Sequence, residues 1–487
     1  MHLTRKIFAF CLSAVLLLSM SACAHISVFF PRPTEESTVT PTMPTEPEDS
    51  PWVPYDGSSK NYVYYHRRQR ERLWEEDILY MADSYLADYA QLTHFNSRIE
   101  LPGDVEYSNE FYNEALRGEF IAAVNGLIPR LSELSNVEIR YEMQKIVAML
   151  GDAHASIPLP ESRYFPLLLL PIYQEDGTVG FYANQVPEEY PELIYGKLEA
   201  INDIPLEEII ENMRPYLSYE NEHWVVSLLS APFSSEYIIW KDFLQIAGVV
   251  GENDKTARFR FLTESGESST VELKAYTTAQ IAGVDLDGTH PATVYPRVYG
   301  TWDSKNYWFE TLEEEQTIYI RINRFIEESG YSFMTMGNEI LNAGRKTEWA
   351  DKVVIDLRSN FGGYHFPGYD QLISVLQRLE LRSVYVLIDG STFSNGVIMA
   401  STIKRAIPGA VLVGQPAGQP TSFFAGMYDG DYVTPNYEVL CRIPTAWYIT
   451  LPGYEEEALL PDITVTPTLE DYKNNVDTIW EAVREMP

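Results

Sequence analysis

The sequence predicts an α/β and α+β multidomain protein, and three observations carry that expectation. Residues 305–487 alternate continuous apolar strands with helical patterns, which implies a parallel sheet covered by helices. Residues 65–150 carry apolar side chains at three- and four-residue spacing, which implies a helical domain. Residues 165–280 break into short alternating or apolar runs with one strand-turn-helix segment, which implies a mixed α+β module.

In chain order, the first 23 residues predict a secretion signal. Arg5 and Lys6 precede an apolar run from Ile7 to Met20, and Ser21, Ala22 and Cys23 follow. The run is short for a membrane span and suits a cleaved signal peptide. The Ser-Ala-Cys ending resembles a bacterial lipobox, with Cys23 as the lipidated first residue; ordinary secretion with cleavage nearby is the alternative. Residues 24–55 then read as a tether, because PRPTEESTVTPTMPTEPEDSPWVPY is rich in Pro, Thr and Glu and cannot build a core. An anchored signal followed by a tether places the folded part outside the bacterial cell membrane. After processing only Cys441 remains, so no intrachain disulfide is expected.

The folded part divides into a helical N-terminal domain (56–158), an α+β module (159–300) and an α/β core (301–487). In the first, RRQRERLWEEDILYMADSYLADYAQL places Leu73, Ile78, Met81, Tyr85 and Tyr89 along one face. In the second, FPLLLLPIY, GTVGFYANQV, ARFRFLT and STVELKAY read as strands around GKLEAINDIPLEEIIENM. In the third, TIYIRINRF, KVVIDLRSN, SVYVLIDG and AVLVGQP read as strands, with helices between them. Sites in such sheets form beyond the carboxyl ends of the strands, where Asp356–Gly363 and Asp389–Ser394 fall.

Composition narrows the function. Asp and Glu outnumber Lys and Arg 70 to 36, for a formal charge of −34, and no basic stripe is present. Nucleic-acid binding is therefore disfavoured. HExxH, paired cysteines and a tight His/Asp cluster are all missing from the sequence, so no metal is expected.

The segment LIDGSTFSNGVI (387–398) hands an apolar strand to an apolar helix at Ser394. A serine there is a common helix N-cap. It is also where hydrolases expose a nucleophile beside free backbone N–H groups. The double glycine in LRSNFGGYH permits close backbone approach, so N–H groups of Gly362 or Gly363 and of Asn395 could form an oxyanion hole. A serine nucleophile needs a base. Of eight histidines, His154 in GDAHASI and His365 after the double glycine have distinctive settings. A buried lysine could serve instead, but none lies between Lys404 and Lys473.

Taken in order, MLGDAHASI, YIRINRF, VVIDLRSNFGG, LIDGSTFSNG, VLVGQPAGQP and LLPDITVTPT resemble the signatures of the carboxyl-terminal processing, or tail-specific, serine peptidases. The resemblance spans roughly residues 70–470 and implies a divergent PDZ-like module around GKLEAINDIPLEEII and a crotonase-like ββα peptidase core. It implies Ser394 as nucleophile, Gly362 or Gly363 and the Asn395 amide as oxyanion donors, polypeptide substrates and no cofactor. The family's better-known branch uses a Ser–Lys dyad; here Gln419 and Pro420 stand where the lysine would fall. A branch with tricorn-like and chlamydial secreted members uses Ser, His and Glu. His154 matches that histidine, with Ala155 replacing the threonine that follows it. The glutamate falls on Glu455 ahead of Pro461-Asp462, with Glu456 and Glu457 adjacent. The resemblance thus implies a serine endopeptidase acting outside the membrane. The alternative from another class is an inactive, lipid-anchored homologue that holds peptides or ligands in the same cleft. A carbohydrate-binding or structural lipoprotein is a weaker third reading.

Overall fold

The structure is a computed structural model that describes residues 52–160, 162–174, 176–230, 236–288, 305–346, 351–364, 368–379, 381–426 and 431–487. The signal-like segment, Cys23, nearly all of the tether and His365 lie outside the described residues.

The N-terminal region folds into helices α1 (Gln69–Asp88), α2 (Glu114–Leu127) and α3 (Asn136–Ala148). Each start after the first has its own chemical signal. The Asn113 side chain accepts from the Leu116 N–H, and Ser135 and Glu138 form a capping box. Ile78, Met81 and Tyr85 of α1 are buried, as their spacing predicts, whereas Leu73 is only half-buried and the neighbouring Trp74 takes the buried place.

The helical expectation fails between α1 and α2. Strands Ser97–Leu101 and Asp104–Ser108 form an antiparallel hairpin there. Pro102 cannot continue a helical ladder, and Gly103 supplies the positive φ of 86° that the turn needs. The hairpin also pairs in parallel with Ala446–Ile449, which pairs with Ser422–Ala425, so the sheet joins both ends of the chain. Phe424, Val439, Cys441 and Ile443 accordingly share one core with Trp74, Phe120 and Ile146. The region is not a self-contained helical domain. Cys441 is a buried free thiol.

The middle module is an antiparallel sheet of Leu168–Tyr173, Val179–Pro187, Lys197–Ile201, Thr256–Leu262 and Ser268–Lys274, in that spatial order. Helix α4 (Leu206–Met213) covers it through Leu206, Ile209 and Met213. Helix α5 (Glu222–Ser230) leads from the module toward the core sheet.

The core sheet runs β1 (Tyr307–Leu312), β2 (Thr317–Ile322), β3 (Lys352–Asp356), β4 (Ser383–Ile388), β5 (Val411–Gly414) and β6 (Ile463–Thr464), side by side in that order. The β1/β2 pair is antiparallel and every later pair is parallel. Alternate residues face opposite layers. Val353, Ile355, Val386 and Ile388 pack with helices α6 (Phe333–Lys346), α7 (Tyr369–Arg378) and α8 (Asn395–Ala406). Tyr319, Val354, Tyr385 and Leu387 pack with Ile479 and Trp480 of α9 (Thr478–Arg484). Burial on both faces explains the unbroken apolar strands.

A buried charge network lies at the carboxyl ends of these strands. Asp356 is fully buried between two arginines, with Arg321 Nη1 at 2.9 Å and Arg358 Nη2 at 2.7 Å. Tyr319 donates to the same carboxylate at 2.6 Å. Arg358 also grips Asp477 at the start of α9 through two bonds of 2.6 and 2.9 Å. Burial alone pushes the Asp356 carboxyl upward, but Arg358 and Arg321 outweigh it and hold the group at about 2. Removing one member leaves buried charge uncompensated, so Asp356→Ala should lower stability by about 3–5 kcal/mol in a denaturant titration. A loss below about 1 kcal/mol would mean that the network does not hold the sheet edge together.

Candidate active site

Ser394 stands between β4 and α8, after a turn closed by local hydrogen bonds. Thr392 N–H donates to the Asp389 carbonyl at 2.9 Å, and the Ser391 N–H to the Asp389 carboxylate at 3.0 Å. Phe393 N–H donates to the Asn360 carbonyl at 2.9 Å. The chain then passes through Ser394 at φ 52° and ψ −121°, a conformation that costs a non-glycine residue about 1–3 kcal/mol. Ser394 occupies the N-cap position of α8 but makes no side-chain cap bond. Its Oγ lies 3.0 Å from His154 Nε2 instead. The strained turn therefore directs the hydroxyl away from its own helix and toward a histidine from the other end of the chain.

His154 is set by the loop after α3. Its N–H donates to the Asp152 carboxylate at 2.8 Å, and the Ala155 N–H shares that oxygen. Tyr89 donates to the other Asp152 oxygen at 3.1 Å. The imidazole is sandwiched between Phe393 and Phe423, with ring centroids 4.7 and 5.6 Å away. Burial in this apolar slot, with Arg442 adding to it, pushes the imidazole down to about 3. Both effects favour the neutral imidazole.

The double glycine faces the serine. A Cβ on Gly362 would meet Ser394 Cβ at 2.6 Å, and one on Gly363 would meet the Phe325 carbonyl oxygen at 2.4 Å. Both adopt positive φ, 90° and 132°. The Gly362 N–H is already given to Asn360 Oδ1 at 2.8 Å. The Gly363 N–H makes no hydrogen bond among the described residues. The Asn395 N–H, at the first helical position of α8, is one of the donors an α-helix leaves unpaired. The Asn395 side chain donates to the Gly363 carbonyl and so couples the two loops. Of the sequence candidates, Gly363 and Asn395 are the pair with amides to offer an anion.

The expected glutamate is not where the motif count places it. Glu455, Glu456 and Glu457 are exposed, and no hydrogen bond joins Glu455 to His154. Their segment turns outward, held by a Tyr454 hydroxyl that accepts from the Leu460 N–H and by Asn221, which donates to the Glu457 carbonyl. Besides Asp152, the carboxylate near His154 is Glu220, from the segment just before α5, which the sequence reading missed; Gln419 stands between the two. The only local sign is Asn221, whose side chain caps α5 by accepting from the Trp224 N–H at 3.0 Å.

Gln419, where the resemblance would put a dyad lysine, is fully buried. Its Oε1 accepts from the Ser394 N–H at 2.9 Å. Its Nε2 lies 3.2 Å from His154 Nδ1 and donates to Glu220 Oε1 at 3.1 Å. Glu220 Oε2 is buried and meets no hydrogen-bond donor at bonding geometry among the described residues. Burial and the nearby Asp152 raise the Glu220 carboxyl well above its usual range, and burial pushes Asp152 up to about 7. Lys404 takes no part, since it pairs with Asp462 at the surface.

Asp152, His154 and Glu220 offer ligand atoms within 4.8 Å of one another. Both Asp152 oxygens are nevertheless committed to N–H and O–H donors, and Gln419 Nε2 bonds both His154 Nδ1 and Glu220. The donor set suits proton handling better than a cation.

No family model matches this chain, and no curated protein matches it. Solved structures do. The chain is similar to mature CPAF at a TM-score of 0.53 with 12% identity, covering 86% of this chain and 97% of that one. It is similar to mature CPAF complexed with lactacystin at a TM-score of 0.55 with 11% identity, covering 86% and 98%. At this identity the likeness establishes a shared mixed α/β multidomain fold along nearly the whole of both chains.

Proposed function

We propose that this protein is a serine-type endopeptidase of the tail-specific kind, with Ser394 as nucleophile and His154 as base. The observation that carries the proposal is the 3.0 Å contact between Ser394 Oγ and His154 Nε2, made by a strained serine at a helix start. The fold shared with mature CPAF supports it. A crotonase-like core and a PDZ-like middle module fit this reading, the latter binding a substrate tail by strand addition.

In the reaction, Ser394 Oγ attacks a peptide carbonyl carbon as its proton passes to His154 Nε2. The carbonyl π bond becomes an oxyanion, held by the N–H groups of Gly363 and Asn395. Each such donor is worth roughly 3–4 kcal/mol when removed. The C–N bond then breaks, the proton on His154 goes to the leaving amine, and an acyl-enzyme remains. Water activated by the same imidazole releases the acid and restores Ser394. Asp152 sets the histidine loop, and Glu220 takes the place that the sequence reading gave to Glu455. The chain is further proposed to act outside the bacterial cell membrane, anchored through Cys23, on polypeptides.

The proposal predicts that a fluorophosphonate probe labels the folded protein and that Ser394→Ala abolishes labelling. His154→Ala should reduce labelling at least about 1,000-fold, because such groups act as a unit. Glu455→Gln should leave it within about twofold, as an exposed side chain away from the base. Absence of labelling in a folded wild type would favour the inactive binding homologue.

Gly362→Ala tests the close approach. The added methyl would collide with Ser394, so labelling should drop at least about 100-fold by displacement of the nucleophile. Near-normal labelling would show that the glycine loop yields without cost.

The low value for His154 predicts an unusual acid profile. A lowered value keeps the base unprotonated in acid, so the limb due to His154 should lie well below 6.5. Labelling in the double variant Asp152→Asn/Glu220→Gln, where neither nearby carboxyl can titrate, should change by no more than about twofold between about pH 7 and 5. An ordinary histidine would lose roughly 20-fold over that range, and such a loss would contradict the buried neutral imidazole.

A further inference from the structure

We infer that Gln419 is a positioning residue that holds His154 in the tautomer with its proton on Nε2, so that Ser394 rests as a latent nucleophile. The inference rests on the proposed peptidase chemistry and goes beyond it by assigning a control to that site.

The argument follows from which groups can only donate. The Ser394 N–H is a backbone donor, so the Gln419 atom 2.9 Å away must be the carbonyl oxygen. The other end of the amide is then NH2, and its two hydrogens meet His154 Nδ1 and Glu220 Oε1. A donor facing Nδ1 requires that nitrogen to carry the lone pair. A neutral imidazole has one N–H, which therefore sits on Nε2, pointing at Ser394 Oγ. In that state Ser394 accepts a hydrogen bond and has no base to take its proton.

Turning the imidazole around does not relieve this. Phe393 and Phe423 sandwich the ring, and Asp152 fixes its backbone. Turning the Gln419 amide instead would place its Oε1 on the His154 Nδ1–H, leaving His154 Nε2 as the proton acceptor that Ser394 needs. Glu220 in its neutral acid form would then donate to Oε1. The one bond that cannot be remade is at Ser394, whose N–H would face NH2. The serine amide is the latch, and release requires the turn bearing Ser394 to move, as occupation of the adjoining oxyanion position would favour. The balance is a proton shift within the imidazole, from Nε2 to Nδ1, with nothing gained or lost.

Gln419→Glu separates this from a purely structural role. A carboxylate can accept from the Ser394 N–H and from Nδ1–H at once, so the latch is removed without any movement. Two measurements on the full chain decide. Ring 15N shifts of His154, assigned by loss of its signals in His154→Ala, should show an unprotonated Nδ1 in wild type and a protonated Nδ1 in Gln419→Glu. Fluorophosphonate labelling of Gln419→Glu should be at least about tenfold faster than wild type, whereas Gln419→Leu should not gain. A wild type with protonated Nδ1 overturns the inference, whether or not the variant folds. So does a folded Gln419→Glu that labels no faster than a wild type that does label. If the tautomers behave as stated and no form labels at Ser394, the tautomer lock stands and the peptidase reading fails.

Discussion

The buried Asp356 carboxylate is the constraint on which the rest of the site depends. It lies at the end of β3, fully desolvated, and is tolerable there only because Arg321 from β2 and Arg358 from the following loop both contact it. Arg358 carries the connection to α9 through Asp477. Once Arg358 is fixed, the next residues have little freedom. Ser359 donates to Asp389 at the end of β4, and Asn360 reaches the Ile322 carbonyl, the Gly362 amide and the Phe393 amide. One residue after Phe393 comes Ser394. The charge network thus sets the spacing between the glycine loop and the serine, where a displacement of an ångström would matter for catalysis.

Electrostatics inside the site run opposite to those at the sheet edge. Asp356 stays ionised because cations surround it, whereas Asp152 and Glu220 share a pocket with each other and a neutral imidazole. Two carboxyls so placed resist being charged together. Gln419 fits this setting because an amide bridges Ser394, His154 and Glu220 without adding charge. A lysine there would bring a cation, favour ionised Glu220 and compete with the histidine as base. An uncharged amide at this place and a neutral imidazole beside it are therefore mutually consistent.

Much of this was legible in the sequence, and the limits have physical causes. The strands of the core sheet declare themselves because both faces are buried, and Ser394, His154 and the double glycine stand where their motifs put them. The missing lysine pointed to Gln419 but not to its role, since a glutamine's function depends on the atoms it faces. Glu455 was chosen by counting back from Pro461-Asp462, and counting cannot tell that the segment turns outward. Glu220 was invisible because it precedes an ordinary capped helix in a different module. The hairpin at 97–108 was hidden between two strong helical patterns, although Pro102-Gly103 marked its turn.

That hairpin bears on how His154 reaches Ser394. His154 and Ser394 lie 240 residues apart, and a loop histidine cannot hold a 3.0 Å contact unless its surroundings are rigid. The structure supplies rigidity by weaving the N-terminal helices into the C-terminal half. Arg98, Ile99 and Glu100 pair with Ala446, Trp447 and Tyr448, and Ser156 bridges to Arg442 two residues beyond the histidine. Tyr85 adds a hydrogen bond to the Arg442 carbonyl, and Phe423, in the strand beside Ala446–Ile449, forms one wall of the imidazole slot. Because His154 comes from the opposite end of the chain from Ser394, the N-terminal region is part of the site's construction, and whatever displaces that region displaces the imidazole with it.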